Sequence, residues 1–567
     1  MKIRLAVAAI LLAQFIPHSL PASTAPELTE MYMRLAAACV EPFLESQNSD
    51  GAYFTPAGEP GFSEYEQIVI YPLAYLFVTS HPLNSYHGDK RLLDSVIRCG
   101  DMLSRRYEPD PWWPMNQWLV QAWLEAYVLV RDHLSRSQRL SWEKSFEHWC
   151  GIYAQYLAKN EGKPDMTAVG LGTGTNHYTY YAASVYRAGH VLGHPEWVGL
   201  AVRSFRQLIR AQHPDGFWPE HYGPVVRYTF ITIHGIGLYY AFTGDPEALE
   251  AMRRAKDFLL RFTYPDGSTV AVIDERNRYY PGLAAMRGLM SLSHWPDGRR
   301  YCRIMTERVI EKVEREGAGA IEPLLFTRYV DAARYSAKGD EAPVPQEMEN
   351  YETRLSCGAY LMRRGDWIVT LSGIISPLPP WEGNRWILDR YTWIEVWHKR
   401  CGLVIGGGNT KRQPQIATLL MAPSNDALDF RPKGSRIAAH GDSARLDLEF
   451  EMFRASLEVK ITDSNKLLLR AGFTQTTQPN AALNRYECNL QLQLKSGQTV
   501  NTSRDSTLRL SENPTRLSAK ELGSSIENEL WRISVPEGKT SLRFPFRPFN
   551  SYELDGHTGI EHAVGIL

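Results

Sequence analysis

The sequence predicts an α+β protein in two parts, an N-terminal array of paired helices followed by an antiparallel β-sandwich. From residue 26 to about residue 335, apolar residues recur at helical spacing in one segment after another. Beyond about residue 350 the apolar residues alternate with polar ones, as in half-buried strands. A chain of 567 residues is too long for a single core. The change of period lies at the segment 336–350, which is rich in Lys, Asp, Glu and Pro, and which we interpret as a linker.

The first 25 residues have the pattern of a secretory signal peptide. Met1-Lys-Ile-Arg is followed by the short apolar run Leu5–Ala13 and then by the small residues Pro21–Ala25. That apolar run is too short for a membrane-spanning helix, and no later segment reaches the required length. We therefore expect cleavage of residues 1–25 and a secreted or periplasmic protein with no membrane span.

Charge and cysteine content exclude several classes of function. The 62 basic and 63 acidic residues nearly balance, so no field for nucleic acid is indicated, and an anionic ligand has to be met by local basic residues. The seven cysteines are scattered singly, with no C-x-x-C pair, so neither a zinc site nor a dense disulfide framework is predicted. One or two disulfides and the oligomeric state are left open.

Ten N-terminal segments carry the helical spacing, and the loops between them contain Gly, Pro and Asp. An Asp-Gly pair recurs after an aromatic residue or His-Pro, which suggests a degenerate repeat of helical hairpins. Such an array either stays open as a solenoid or closes into a toroid. The ten predicted helices are Glu27–Glu45, Glu66–Thr79, Lys90–Arg106, Gln117–Arg131, Ser137–Ala158, Tyr178–Leu192, Trp197–Ala211, Tyr228–Phe242, Pro246–Phe262 and Pro281–Leu292.

The C-terminal part, residues 351–567, shows alternation bounded by Asp, Asn, Gly and Ser turns. This pattern predicts an antiparallel β-sandwich. The clearest predicted strands are Gly358–Arg363, Trp367–Ser372, Ala444–Phe450, Ala455–Ile461 and Asn489–Leu494.

Two glycine-containing loops of the helical part carry the candidate chemistry. The first, Asp215-Gly-Phe-Trp-Pro-Glu-His221, is followed seven positions later by Tyr228, just inside a predicted helix. A histidine and a tyrosine at the start of a helix can act as base and acid on one bound molecule. The second loop, Gly172-Thr-Gly-Thr-Asn176-His177, also leads into a predicted helix and offers an amide to hold the substrate.

These two loops resemble those of the toroidal polysaccharide lyases, which include the hyaluronate/chondroitin lyases, the heparinase II/III type and related alginate lyases. In those families an asparagine comes from a Thr-Gly-Ala-Asn-like loop, a histidine from an Asp-Gly-Ser-Phe-x-x-His-like loop, and a tyrosine follows. The resemblance implies a complete or incomplete α/α toroid over residues 26–335, a β-sandwich over residues 351–567 and an active cleft between them. His177, after Asn176, matches the alginate-lyase branch, whereas the spacing from His221 to Tyr228 is shorter than in the hyaluronate/chondroitin branch, so the subfamily stays open.

The resemblance also implies the reaction, a β-elimination on a uronic-acid polysaccharide without a metal or other cofactor. The C5 proton is weakly acidic because the neighbouring carboxylate is negative, so that carboxylate has to be neutralised. Asn176 suits this role, with Arg276 or Arg278 as a charged partner. His221 then takes the proton, and Tyr228 protonates the leaving glycosidic oxygen.

Further residues are assigned to the site by the same resemblance. His177 is a candidate second base, and Tyr222 competes with Tyr228 as the acid. The expected substrate-binding residues are Trp112, Trp113 and Asn116, which resemble a double-Trp patch, together with Tyr222, Arg276, Glu382 and Asn384. Tyr391 and His398, on a predicted strand, are weaker candidates.

Two rival functions remain open from the sequence. An α/α-toroid glycoside hydrolase needs a carboxylate pair, which Glu220 with Asp274 or Glu275 can supply. A non-catalytic polysaccharide-binding protein needs only aromatic residues and arginines. Each residue also has a structural interpretation: Asn176 as a helix N-cap, for example, and the tryptophans as core. The polymer, and endo or exo cleavage, are not predicted.

Overall fold

The computed structural model describes residues 26–54, 62–106, 115–162, 174–219, 223–274, 287–375, 392–407, 417–422, 431–476, 485–511, 513–546 and 564–566. The predicted signal peptide lies outside these residues. The helices are α1 Leu28–Ala38, α2 Val40–Glu45, α3 Glu64–Gln67, α4 Ile70–Val78, α5 Lys90–Arg105, α6 Gln117–Val130, α7 Arg136–Asn160, α8 Gly174–Leu192, α9 Pro195–Arg210, α10 Val226–Thr243, α11 Pro246–Arg261, α12 Leu289–Leu292, α13 Pro296–Glu316, α14 Pro323–Tyr335 and α15 Ala519–Leu522.

The predicted helices are found, with four differences. The segments predicted as single helices at 27–45 and 66–79 are each divided into two, α1 with α2 and α3 with α4. Helix α8 begins at Gly174, four residues before the predicted start, so Asn176 and His177 lie in its first turn rather than in a loop. Helices α13 and α14 were not among the ten, and of the predicted Pro281–Leu292 helix the structure describes α12 only.

The N-terminal helices form two concentric rings. The inner ring runs α4, α6, α8, α10, α12 and α14, each helix packing on the next, and α14 packs back on α4. Around it lie α5, α7, α9, α11, α13 and α1, each packed on an inner helix. The inner ring therefore closes, and the α/α toroid predicted from the sequence is complete rather than an open solenoid.

The sequences of the two kinds of helix explain their positions. Outer helix α5 buries Leu92, Val96, Cys99 and Leu103 at intervals of three and four residues, and its other face is charged. Such an amphipathic helix belongs at a surface. Inner helix α6 is apolar almost all round and is buried along nearly its whole length, as expected for a helix packed on every side.

Glycines allow the inner helices to approach each other closely on both sides of α10. A Cβ atom placed on Gly235 would lie 2.6 Å from Cβ of Thr179 on α8. One placed on Gly237 would lie 2.1 Å from Oγ of Ser291 on α12. Any larger residue at these positions would push neighbouring helices apart, since packed interiors have little free space.

The C-terminal part consists of antiparallel sheets. The largest has the strand order β1-β2-β3-β4-β5-β12-β19-β18-β15, and a second sheet has the order β10-β9-β8-β7. Two smaller sheets have the orders β11-β6 and β14-β13-β16-β17. The strands are β1 Asn350–Leu355, β2 Ala359–Arg364, β3 Trp367–Ser372, β4 Ile394–His398, β5 Gly402–Ile405, β6 Leu419–Ala422, β7 Gly434–His440, β8 Ser443–Glu449, β9 Phe453–Asp463, β10 Lys466–Gln475, β11 Arg485–Cys488, β12 Gln491–Leu492, β13 Thr499–Thr502, β14 Thr507–Arg509, β15 Thr515–Leu517, β16 Ser525–Glu527, β17 Arg532–Ser534, β18 Leu542–Phe546 and β19 Val564–Ile566.

The large sheet is buried on both faces. On one face, Leu361 and Ile368 belong to the same apolar core as the toroid helices. On the other face, Met362 and Val369 belong to a separate core shared with the second sheet. Strands β2 to β4 are therefore apolar on both sides, whereas β9, in the second sheet, alternates buried and exposed residues. The predicted sandwich is confirmed, and the predicted strand at 489–494 is shorter than expected, being limited to β12.

Between the two parts, α14 ends at Tyr335 and β1 begins at Asn350. The segment predicted as a linker is anchored on the toroid, because Nε2 of Gln346 donates to the carbonyl oxygens of Leu260 and Thr263. Among the described residues, no helix is long and apolar enough to cross a membrane.

A buried carboxylate joins β4 to the loop that follows α11. Oε2 of Glu395 accepts hydrogen bonds from the Tyr264 hydroxyl at 2.9 Å and from the Ala271 amide at 3.0 Å. Beside it, the Tyr264 ring stacks on Trp397 with ring centroids 5.9 Å apart. Burial raises the pKa of Glu395 to about 7, and the nearby Asp274 acts in the same direction, against the lowering effect of these hydrogen bonds.

We predict that Gly235→Ala destabilises the toroid. The new methyl group would collide with Thr179, and overpacking of this kind costs about 1–3 kcal/mol. Gly151→Ala is the matched control, because a Cβ there meets only the Trp197 ring at 3.9 Å. This control should gain about 0.5–1 kcal/mol from helix propensity. Thermal unfolding followed by circular dichroism measures both, and equal unfolding temperatures would contradict the close approach of α8 and α10.

We predict that Glu395→Gln changes the pH dependence of stability. Because the folded pKa lies above the ordinary 4.5, the folded protein keeps a proton that the unfolded chain has released. The contribution of protonated Glu395 to the free energy of unfolding is fully present below about pH 4.5 and is lost as the pH rises through about 7. The variant, which cannot ionise, should therefore gain stability relative to the wild type between pH 5 and pH 8.5, by on the order of 3 kcal/mol.

Unfolding temperatures of both proteins across this pH range, with the exposed Glu307→Gln as a control, provide the measurement. Parallel profiles for the wild type and Glu395→Gln would show that Glu395 ionises normally in the folded protein.

Candidate active site at the rim of the toroid

The N-terminal ends of the inner helices meet at one rim of the toroid. Each inner helix from α4 to α12 is followed by an outer helix that returns alongside it, and α14 follows outer helix α13, so the inner helices run in the same direction. Their helix dipoles consequently direct partial positive charge and unpaired N–H groups toward this rim, which suits an anionic ligand.

The same rim faces the large β-sheet. Asp215, in the loop before α10, accepts hydrogen bonds from the amide and hydroxyl of Ser356. Asp266, in the loop before α12, accepts one from the Trp397 indole at 3.1 Å. These contacts place the start of the inner helices against the β-domain.

Asn176 lies in the first turn of α8 with its side chain 1% exposed. Its Oδ1 accepts a hydrogen bond from the adjacent His177 amide at 2.8 Å. An N-cap side chain would instead bond the amide two or three residues further on. Its Nδ2 is buried and has no hydrogen-bond partner among the residues that the structure describes. A buried donor without a partner costs about 1–3 kcal/mol, so this amide is a strong candidate to receive an acceptor from a ligand.

His177, next to it, is half-buried and oriented by Gln117 at the start of α6. Nδ1 of His177 lies 2.6 Å from Nε2 of Gln117. An amide nitrogen can only donate, so Nδ1 accepts and the hydrogen of the neutral ring is on Nε2. Gln117 thus orients the His177 ring, and the role of His177 as a second base stays a prediction.

An aromatic strip, formed by Tyr65, Trp118 and His177, runs along the rim beside Asn176. The Trp118 ring centroid lies 5.8 Å from that of Tyr65 and 5.2 Å from that of His177. Tyr65 is 46% exposed, whereas Trp118 is buried. Neither Tyr65 nor Trp118 was predicted from the sequence.

Asn116 lies at the start of α6, and its expected role as a substrate ligand stays a prediction. It is the N-cap of α6, where its Oδ1 accepts a hydrogen bond from the Trp118 amide at 3.0 Å. Its own amide donates to Glu64 at 2.8 Å, and burial raises the pKa of that carboxyl. Asn116 is itself buried, so its carboxamide oxygen serves the helix.

Tyr228 occupies the first turn of α10, the inner helix next to α8, and its side chain is half-buried against the toroid core. Lower down, the Tyr180 and His234 rings lie parallel with centroids 6.4 Å apart, which fixes the register of the two helices. Tyr228 precedes His234 by six residues and Asn176 precedes Tyr180 by four. At 1.5 Å per residue, Tyr228 is therefore roughly 3 Å closer to the rim than Asn176.

Arg287 approaches Tyr228 from the segment just before α12. Its side chain is 17% exposed and lies 3.9 Å from the Glu322 carboxylate. Burial lowers the pKa of Arg287 to about 10, as do the nearby guanidinium groups of Arg227 and Arg328. Interactions with Glu322 and Tyr228 act in the opposite direction. No local sequence pattern marks Arg287.

A buried polar cluster closes the toroid below these residues. Arg328 donates to the Tyr180 hydroxyl at 2.7 Å and to Nε2 of His234 at 2.6 Å, and it lies 3.2 Å from Asp331. Burial lowers the pKa of His234 to about 4, helped by Arg328 and opposed by Asp331, so this imidazole is neutral near pH 7.

The remaining sequence predictions divide into two groups. Asp274 is fully buried and lies near Glu395, and His398 is buried on β4, with Nε2 3.1 Å from the Ser464 carbonyl oxygen. Both are therefore integrated into the interior of the protein. Outside the described residues lie His221, Tyr222, Trp112, Trp113, Arg276, Arg278, Glu382, Asn384, Glu220, Glu275 and Tyr391.

Among the described residues there is no group of three or more His, Cys, Asp or Glu side chains that could hold a metal ion.

No protein-family model and no curated protein matches the sequence. Among solved structures, the chain is similar to the chondroitin AC lyase of Streptomyces coelicolor, at 13% identity and a TM-score of 0.49, over 90% of this chain and 76% of the lyase. It is also similar to a heparan sulfate lyase of Pedobacter heparinus, at 12% identity and a TM-score of 0.45, over 87% of this chain and 77% of the lyase. An α-1,6-mannanase of a Salegentibacter species matches at 15% identity and a TM-score of 0.38, over 55% of this chain and 99% of the mannanase. Two of these proteins are polysaccharide lyases, the class that the two loops resemble, and at such identities the chemistry has to be argued from this chain's own residues.

Proposed function

We propose that the protein is an exported polysaccharide lyase that cleaves a uronic-acid polymer by β-elimination. The observation that supports this most directly is the buried Nδ2 of Asn176, which has no hydrogen-bond partner among the described residues and lies at the positive rim of the toroid. Tyr228 and Arg287 lie at the start of the neighbouring inner helices. An amide donor, a phenol and a cation are the groups that an elimination beside a carboxylate requires.

In the proposed reaction the uronate carboxylate accepts a hydrogen bond from Nδ2 of Asn176. As the base removes the C5 proton, negative charge grows on that carboxylate, and the amide and the helix N-termini stabilise it. The electron pair of the C5–H bond forms the C4–C5 double bond, and the bond from C4 to the glycosidic oxygen breaks. His221 is the proposed base, and Tyr228 is the proposed acid that gives its proton to the leaving oxygen.

Arg287 and His177 support these steps in the proposal. The Arg287 guanidinium stabilises the phenolate that Tyr228 becomes when it has given up its proton. His177, whose ring Gln117 orients beside Asn176, is the proposed second base. Reprotonation of Tyr228 by the proton taken from C5 returns the site to its starting state.

The hydrolase alternative has less support from the described residues. Of its three candidate carboxylates, Asp274 is fully buried, close to Glu395 on β4. A general acid or base has to come within hydrogen-bond reach of the glycosidic oxygen or of a water molecule. The position of Asp274 therefore favours a structural role in the contact between the toroid and the sheet.

We predict that the purified protein releases products that absorb in the ultraviolet, because elimination creates a double bond conjugated with the carboxylate. Hyaluronan, chondroitin, heparan sulfate, alginate and glucuronan form the screen, and EDTA should leave the rate unchanged. New reducing ends without ultraviolet absorption would contradict elimination and favour hydrolysis.

On the polymer that the screen identifies, Asn176→Ala should lower kcat by roughly 100- to 1000-fold, the usual effect of losing one donor to a developing negative charge. Tyr228→Phe should abolish turnover and leave substrate affinity largely intact, because the ring is retained and only the hydroxyl group is lost. Tyr240→Phe, on the same helix, is the matched control and should retain full activity.

Initial rates and equilibrium binding of these variants distinguish the assignments. Full activity of Tyr228→Phe with loss in Tyr222→Phe would transfer the acid to Tyr222. Full activity of both, with an inactive Glu220→Gln, would rule out the elimination mechanism.

A further inference from the structure

A cavity of about 330 Å³ opens on the same rim as the candidate site, at some distance from Asn176. Outer helices run opposite to inner helices, so the end of outer helix α5 at Arg105 lies at the rim where inner helix α6 begins. Because Arg105 lines the cavity, the cavity lies at this rim. The volume is at the lower end of the range of small-molecule pockets, which is about 300–1,000 Å³. The lining residues are Asn48, Asp50, Ala52, Phe54, Phe62, Met102, Arg105 and Arg106.

The cavity combines an apolar wall with cationic groups. Phe62 is 38% exposed, and the Arg106 guanidinium lies 3.6 Å from its ring centroid. Arg105 is exposed as well, and the described residues give neither arginine a carboxylate partner within 4 Å. Asp50 is the one acidic residue of the lining, against two arginines, and Glu64 lies close enough to Arg106 to interact with its guanidinium. Paired apolar and cationic surfaces match a sugar ring that carries an acidic group.

Contacts between described side chains link the edge of this cavity to the neighbourhood of Asn176. Phe62 is followed closely in the chain by Glu64 and Tyr65. Burial raises the pKa of the Glu64 carboxyl, and the nearby Arg106 guanidinium opposes this effect. From Tyr65 the aromatic strip leads through Trp118 to His177. One polymer chain lying along the rim would thus contact the cavity and the candidate site together.

We infer that this cavity is a distal subsite for one anionic sugar unit of the polymer, with its acidic group on Arg105 and Arg106 and its ring on Phe62. The inference rests on the proposed function for its substrate class. Because the aromatic strip separates the cavity from Asn176, a disaccharide bound at Asn176 does not reach the arginines, whereas an octasaccharide reaches both. The subsite thus makes affinity depend on chain length.

Binding is measured by calorimetry with a disaccharide and an octasaccharide from each of chondroitin sulfate, heparan sulfate and alginate. Tyr228→Phe serves as the background, so that the oligosaccharides are not consumed. Replacing both cavity arginines (Arg105→Gln with Arg106→Gln) should raise the octasaccharide Kd about ten- to one hundredfold and leave the disaccharide Kd unchanged. Phe62→Ala should raise the octasaccharide Kd roughly three- to tenfold.

The matched control is the pair Arg136→Gln with Arg139→Gln, at the start of outer helix α7 and hence at the opposite end of the toroid. It changes the net charge equally and should leave both constants unchanged, and thermal unfolding of all variants shows whether they fold. An unchanged octasaccharide Kd in the cavity variants, or a background protein that binds none of the octasaccharides, would overturn the subsite. Length-dependent binding that needs Arg105 and Arg106, without ultraviolet-absorbing products from any polymer, would retain the subsite and reject the lyase reaction.

Discussion

The whole structure depends on polar contacts that cross the centre of the helical ring. Arg328 on α14 reaches Tyr180 on α8, which lies on the opposite side of the inner ring, and also His234 on α10. In a second layer, Glu125 on α6 pairs with Arg187 on α8 at 2.7 Å and with Arg334 on α14 at 3.1 Å. Burying charges is unfavourable unless partners compensate them, so these contacts require the ring to be closed and in one register. That register in turn determines which side chains meet at the rim.

The described part of the rim illustrates how the proposed anion site can use groups that carry no formal charge. Asn176 contributes a neutral hydrogen-bond donor, and the helix N-termini contribute partial positive charges. Neither the amide nor the helix ends need a counter-ion. The full charges near the site are already compensated in part, as Arg287 is by Glu322. Such an arrangement favours a ligand whose charge is small and localised, such as one carboxylate per sugar, over a dense polyanion. The nearly balanced charge of the whole chain agrees with this.

Periodicity in the sequence was sufficient for the fold because most helices and strands bury one face in a regular pattern. Helix α5, with its buried residues three and four apart, and β9, with its alternation of buried and more exposed residues, are clear examples. The start of α8 was misplaced because glycines and threonines before Asn176 indicate a loop, whereas the ring of inner helices stabilises an extra turn there. The division of the sandwich into strands such as β12 could not be predicted, since pairing with β5 and β19 defines it.

The candidate site could be predicted only where residues lie close in the sequence. Asn176 with His177 and Tyr228 were selected because short loops mark them. Gln117 and Trp118, at the start of α6, and Arg287, just before α12, were missed, since these inner helices are distant in the chain from the loop that contains Asn176. Glu395 is a similar case: its neighbours Tyr264 and Ala271 lie more than a hundred residues away in the chain. The stretch from Asn116 to Trp118, an Asn before a helix that starts with Gln-Trp, is the one local signal that could have indicated Gln117.

The contacts that cross the ring also decide how a long polymer can enter. Tyr180, His234, Arg328 and Asp331 are all buried, and they join helices on opposite sides of the axis. The toroid is for this reason a bowl with a closed floor and not a tunnel. A polysaccharide at the rim cannot be threaded through it, and has to lie across the opening with both of its ends outside. If the proposed function holds, access from the side does not depend on a free chain end, and the described residues of the toroid are compatible with cutting in the middle of a chain.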